Sequence, residues 1–131
     1  MKKTLSLLLI FLACLSAQAA PLKLADLRWK RRVLVVYAPP GTDEKLLQQQ
    51  KLFRAEKEGF DDPDVTLLVL RQPTDNAEIA KRFQLSGKEF VVLLIGKDGG
   101  EKFRVKKVAH PGLLFQLIDS MPMRGDEMRS R

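Results

Sequence analysis

Val33-Leu34-Val35-Val36-Tyr37-Ala38-Pro39-Pro40-Gly41-Thr42-Asp43-Glu44 is the stretch that decides how the rest of the chain is read. Its first five residues are a continuous apolar run rich in β-branched side chains, the pattern of a strand covered on both faces. Pro39, Pro40 and Gly41 stop it. Thr42 is then placed to cap a helix, with Asp43 and Glu44 at the positive end of its dipole. Leu46, Phe53 and Phe60 recur at a spacing of seven with Leu47 beside them, so the helix is predicted to run to about Glu58-Gly59. After the polar turn Asp61-Asp62-Pro63-Asp64, Val65 to Leu70 is a second buried run, which completes a β-α-β unit with parallel strands.

Downstream, Gln72-Pro73-Thr74 leads to Asp75-x-x-Glu78, which reads as a capping box, and Ile79 and Phe83 share one face of a short helix ended by Gly87. Phe90 to Ile95 is a third buried run. Gly96-Lys97-Asp98-Gly99-Gly100 supplies a hairpin turn, and Glu101 to Val105 returns. Pro111 suits the first position of a last helix, in which Leu114, Leu117, Ile118 and Met121 line one face, and Pro122 is expected to end it. The polar segment 123–131 is expected to fray. The order β-α-β-α-β-β-α, in an α/β chain with a mixed four-stranded sheet and helices on both faces, is that of the thioredoxin-like fold. Leu22, Leu24, Leu27 and Trp29, in the lead-in before the first strand, are expected to bury apolar surface; Trp29 is solitary and reads as a packing residue.

The first nineteen residues have a separate logic. Lys2 and Lys3 precede an apolar run from Leu5 to Leu12, and Ala17-Gln18-Ala19 is the small-x-small pattern of a signal peptidase site. The run is too short to span a bilayer as a helix. Residues 1–19 are therefore expected to be a cleaved signal peptide, 20–122 the folded domain and 123–131 a polar tail, with the mature chain periplasmic or secreted and without a transmembrane span. Cleavage near Ala19 also discards Cys14, the one cysteine of the 131 residues. Phe11 and Leu12 fit a lipoprotein acylation signal at Cys14 poorly.

Counting then excludes chemistry. One Cys and one His can form neither a disulfide framework nor a structural zinc site. In thioredoxin-like enzymes the reactive thiol sits where the first strand turns into the first helix, and here that turn is Ala38 to Asp43; Thr42 cannot substitute for a thiol. The proline that such enzymes place before the third strand is also absent at Glu89 and Phe90. His110, ahead of Pro111, reads as a turn residue, and Asp61, Asp62 and Asp64 as a solvated turn. No catalytic, cofactor-binding or metal-ligating residue is assigned, and no cofactor is expected.

What remains is charge. The full chain carries 23 Lys and Arg against 16 Asp and Glu. Strand alternation predicts that Lys102, Arg104 and Lys106 share one face of the return strand, opposite Phe103 and Val105. Those three cations are the candidate anion-binding face; the competing reading is that they guard an edge strand against pairing with a second chain. Arg28, Lys30, Arg31 and Arg32 form a second basic cluster. Outside the cytoplasm an envelope protein or an anionic envelope polymer is the expected partner, and nucleic acid is not.

Arg31 to Pro39, Phe90 to Lys102 with its Gly-Lys-Asp-Gly-Gly, and Leu117 to Arg124 with its Met-Pro-Met resemble a bacterial family of exported domains of unknown function. That family is similar to the domain repeated in a vertebrate secreted coiled-coil-domain protein and present in sushi-repeat-containing proteins. The resemblance implies a thioredoxin-like, peroxiredoxin-related fold and supplies no active site. The function expected is a non-enzymatic binding or envelope-support module; the alternative is a peroxiredoxin-related oxidoreductase that acts with a partner-supplied thiol or an unseen cofactor.

Overall fold

The computed structural model describes residues 22–130, so the expected signal peptide and Cys14 lie outside the described residues. Four strands form one sheet in the order β2-β1-β3-β4: β1 Arg32–Tyr37, β2 Val65–Leu70, β3 Val91–Ile95 and β4 Glu101–Val105. β1 and β2 are parallel, with Arg32 opposite Val65 and Tyr37 opposite Leu70. β3 runs antiparallel to β1 and β4 antiparallel to β3. β1 and β3, at the centre, are buried along their whole length, which is why they read as unbroken apolar runs.

Alternation divides the core between two faces. Val33, Val35, Tyr37, Leu93 and Ile95 pack with Leu24 of α1 (Leu24–Leu27) and with Ile79 and Ala80 of α4 (Ala77–Arg82). Leu34, Val36, Val92 and Leu94 pack on the other side with Leu46 of α2 (Asp43–Ala55), Phe60 of α3 (Lys57–Asp61), and Leu114 and Ile118 of α5 (Pro111–Asp119). Each such side chain taken from water is worth about 1.5–3 kcal/mol. The thioredoxin-like arrangement, mixed sheet and helices on both faces follow the expected layout.

Several details differ. The long helix expected to reach Gly59 breaks at Glu56 into α2 and α3, and Leu47 points to solvent. The capping box falls one turn earlier than expected: Gln72 and Asp75 form it around a 3-10 turn at Pro73–Asn76, and Asn76 caps α4 by accepting the Ile79 N–H at 3.2 Å. α4 ends at Arg82, before Gly87, with Gln84 in the left-handed region at φ 56°.

The largest correction is at the C-terminus. Pro122 does not end the fold but starts α6, Pro122–Arg129, and the segment expected to fray contains a buried arginine, Arg124. α6 docks by ion pairing, not by an apolar stripe. Trp29 is the second correction: it is 57% exposed, with φ 71°. Its backbone N–H donates to the Lys97 carbonyl at 2.6 Å, which straps the lead-in to the β3–β4 turn and holds the indole outside the core.

Candidate functional site

The two ends of β1 have opposite fates. At its C-terminal end lies the turn where thioredoxin-like enzymes carry their thiol. Here the Ala38 N–H donates to Leu70 O at 2.8 Å, and the Thr42 hydroxyl donates to Pro39 O at 2.7 Å, so Thr42 stands at the N-cap of α2 without accepting from a helix N–H. Arg71, just past β2, closes the turn from above: its Nε donates to Ala38 O at 2.6 Å and its Nη2 pairs with Asp43. Asp75 in turn accepts the Arg71 backbone N–H at 2.7 Å, and that bond is the main cause holding its carboxyl below the usual range. Pro39 is buried beneath. Neither cavity described below takes a lining residue from 38–43.

At the N-terminal end of β1, charges converge. Arg32, 1% exposed, donates from Nη1 to Pro63 O at 2.7 Å and to Glu127 Oε1 at 3.0 Å. Lys97 Nζ lies 2.6 Å from Glu127 Oε2 and 2.9 Å from Asp64 Oδ2. Arg124 reaches Asp62 at 2.5 Å and Asp119 at 3.3 Å. Burial by itself would raise the Glu127 carboxyl pKa; the hydrogen bonds from Arg32 and Lys97 outweigh it and hold the group below its ordinary value. Arg124 shows the converse: burial works against its charge, and Asp62 and Asp119 more than offset this. Asp62 and Asp64, read as part of a solvated turn, are thus fixed partners of buried cations. The sequence gives little sign of this cluster, because its members are spread over four separate segments.

Beside this cluster opens a cleft of about 500 Å³. Leu117, Met121, Pro122 and Met123, at the α5–α6 junction, supply an apolar wall; Trp29 stands across from them, and Arg32, Lys97, Asp98 and Lys102 supply the polar part. Both the Trp29 strap and the β3–β4 turn shape its mouth. In that turn Gly99 takes φ 86°, and Asp98 accepts from the Gly100 N–H at 2.9 Å and from Lys102 at 2.8 Å. The Arg28 guanidinium lies 5.1 Å from the Trp29 ring centroid and donates to Asp98 O.

The structure does not bring the three strand cations together. A register shift between Leu94 and Ile95 interrupts the alternation of β4. Lys102 lines the large cleft, whereas Arg104 and Lys106 line a smaller one of about 260 Å³ with Tyr37, Gln84 to Gly87 and Glu89. Each is paired within the chain: Lys102 with Asp98, Arg104 with Glu101 and the Phe83 carbonyl, Lys106 with Glu89. Of the second basic cluster, Arg28 and Arg32 are engaged as above, and Arg31 Nε donates to Thr66 Oγ1 at 2.5 Å. His110 precedes α5 as expected.

The reduced 2-Cys peroxiredoxin of Plasmodium vivax shares the fold at a TM-score of 0.61, with 12% identity over 78% of this chain and 83% of that one. Fasciola hepatica thioredoxin does so at 0.52, with 16% identity over 75% and 88% of the two chains. At such identities the likeness concerns the fold alone. Coiled-coil domain-containing protein 80 of Danio rerio is 27% identical over 135 residues, covering 80% of this chain, which spans about 15% of that relative's length. The family profile described as "Domain of unknown function (DUF4174)" matches residues 23–127, from the lead-in helix into α6, and the chain belongs to that family.

Proposed function

We propose that this is an exported thioredoxin-like domain that binds a ligand or an envelope partner and performs no thiol redox chemistry of its own. The observation that carries the reading is the closed turn: where a thiol would stand, Ala38 to Asp43 are stitched shut by Arg71, while the open, charged cleft lies at the other end of β1. Export rests on the Lys2-Lys3, Leu5 to Leu12 and Ala17-Gln18-Ala19 pattern, and no helix among the described residues is long and apolar enough to cross a membrane.

Disulfide-reductase and peroxidase assays on the purified chain test the redox part, with and without excess small thiols. No turnover above buffer is expected in either arm. A nicotinamide reductant supplies the electrons in the arm without thiol; turnover there would overturn the reading, and turnover above the uncatalysed rate only with thiol as reductant would establish the partner-thiol alternative. Mass spectrometry of the protein from the cell envelope is expected to find a chain that begins at Ala20; an intact Met1 terminus overturns export by cleavage.

A further inference from the structure

We propose that the cleft between Trp29 and the α5–α6 junction binds a small aromatic monoanion, its ring against Trp29 and the methionines and its acidic group toward Lys97 and Lys102. The inference deepens the binding reading above and rests on it. Three observations carry it.

The first is the state of Trp29. A bulky side chain is strained in the left-handed region, and such backbone is kept where surrounding structure enforces it. Here two contacts enforce it, the Trp29 N–H bond to Lys97 O and the Arg28 side chain bonded to Asp98 O. Their joint effect is to leave the chain's one indole 57% exposed on the rim of a cleft. A tryptophan recruited for packing would be covered.

The second is size and lining. About 500 Å³ is within the range of small-molecule sites, roughly 300–1,000 Å³, which join apolar walls to a few placed polar groups. Leu117, Met121 and Met123 make a deformable apolar wall, and thioether sulfur favours aromatic neighbours.

The third is the sign of the charge that lines the cleft, Arg32, Lys97 and Lys102 against Asp98. Arg32, Lys97 and Arg124 are buried and paired with Glu127, Asp62, Asp64 and Asp119, four carboxylates to three cations, but none of these four carboxylates lines the cleft. Asp62, Asp64 and Asp119 pair from more solvated positions, 32–56% exposed, where water screens them. Arg32 Nε, fully buried, has no hydrogen-bond partner among the described residues. Lys97 has three donors and gives two to carboxylates. One acidic group entering beside Lys97 and Lys102 meets a lining with three cations to one carboxylate; a cation would be repelled by it.

Trp29, being the sole tryptophan, reports on the cleft directly. The full purified chain is titrated with 3-phenylpropanoate and, separately, with its neutral amide, following Trp29 emission and amide NMR shifts. The acid is expected to give a saturable response below ~10 mM, centred on Trp29, Lys97, Lys102 and Met121, and the amide to bind about tenfold more weakly. Lys102→Gln is expected to weaken the acid several-fold. Ser120→Phe, which fills the cleft from an exposed position, is expected to abolish the response while the melting temperature stays unchanged. No saturable response, equal affinity for acid and amide, or binding that survives Ser120→Phe would each overturn the proposal. Redox turnover would instead strike the parent reading, so the two failures are distinguishable.

Discussion

Arg32 Nη1 and Glu127 Oε1, 95 positions apart in sequence, meet at 3.0 Å and join the first strand to the last helix. Glu127 also holds Lys97 at 2.6 Å and lies 3.6 Å from Arg124 Nη1, so one carboxylate serves three buried cations. Removing a single partner from such a cluster is far worse than removing the cluster, because the remaining charges stay buried without compensation. Because the folded Glu127 carboxyl titrates below its ordinary value of 4.5, its contribution is complete above that value and is lost as pH falls through the lower, folded one. Glu127→Gln is expected to destabilise the chain by about 3 kcal/mol near neutrality, and to lose less than the wild type on acidification below about pH 4.5. Urea unfolding at a series of pH values measures both; parallel curves for the two proteins would contradict the assignment.

Gln49 is a second polar tie through the core. Its side chain, 1% exposed, donates to Ala109 O at 2.9 Å and accepts the Ala109 N–H at 2.7 Å, fixing α2 to the segment before α5. Gln49→Leu keeps the bulk but strands two backbone groups. A loss of about 2–4 kcal/mol in chemical denaturation is expected, and Gln49→Glu, which keeps the acceptor but not the donor, is expected to fall between leucine and wild type only when the carboxyl is protonated.

Arg71 closes the turn at the C-terminal end of β1 through Ala38 O and Asp43. Arg71→Ala is expected to cost about 1–2 kcal/mol, to raise hydrogen exchange at residues 38–43, and to leave 3-phenylpropanoate titrations unchanged, since the cleft lies at the other end of the sheet. A change in those titrations would show that the two ends are coupled.

Lys102, Arg104 and Lys106 are paired with carboxylates and line two different cavities. β4 is nevertheless an edge strand, and charged side chains there discourage pairing with a second chain. Light scattering of the triple alanine variant is expected to show concentration-dependent association absent from the wild type, with retention on a polyanionic matrix little changed. A sharp loss of retention without association would restore the anion-binding face.

Elements that bury apolar side chains on both sides were legible in the sequence: Val33 to Tyr37, Val65 to Leu70 and Val91 to Ile95 announce themselves by composition. α6 was not, because it is held by Arg124 and Glu127, and hydrophobic periodicity is silent about a helix that docks by charge. The Met121-Pro122 step was the available signal, since proline favours the first turn of a helix as much as it ends one. Pro73 carried the same information for the shifted capping box. Trp29 failed for a different reason: hydrophobicity argues for burial, but a backbone bond to Lys97 decided its orientation, and no pattern over neighbouring residues encodes a contact that distant. The cleft follows from both misses, which is why no single motif pointed to it.

The dependence of Arg32 and Lys97 on Glu127 also sets an order of events. A growing chain emerges from its N-terminus, so all four strands are synthesised before the carboxylate that neutralises the end of the sheet exists. Until α6 arrives, closing that end means burying cations without their counter-charge, an obstacle that keeps the nascent polypeptide from completing this part of its fold early. The short helix α6 is thus a timing element: this end of the sheet can lock only once α6 has been made.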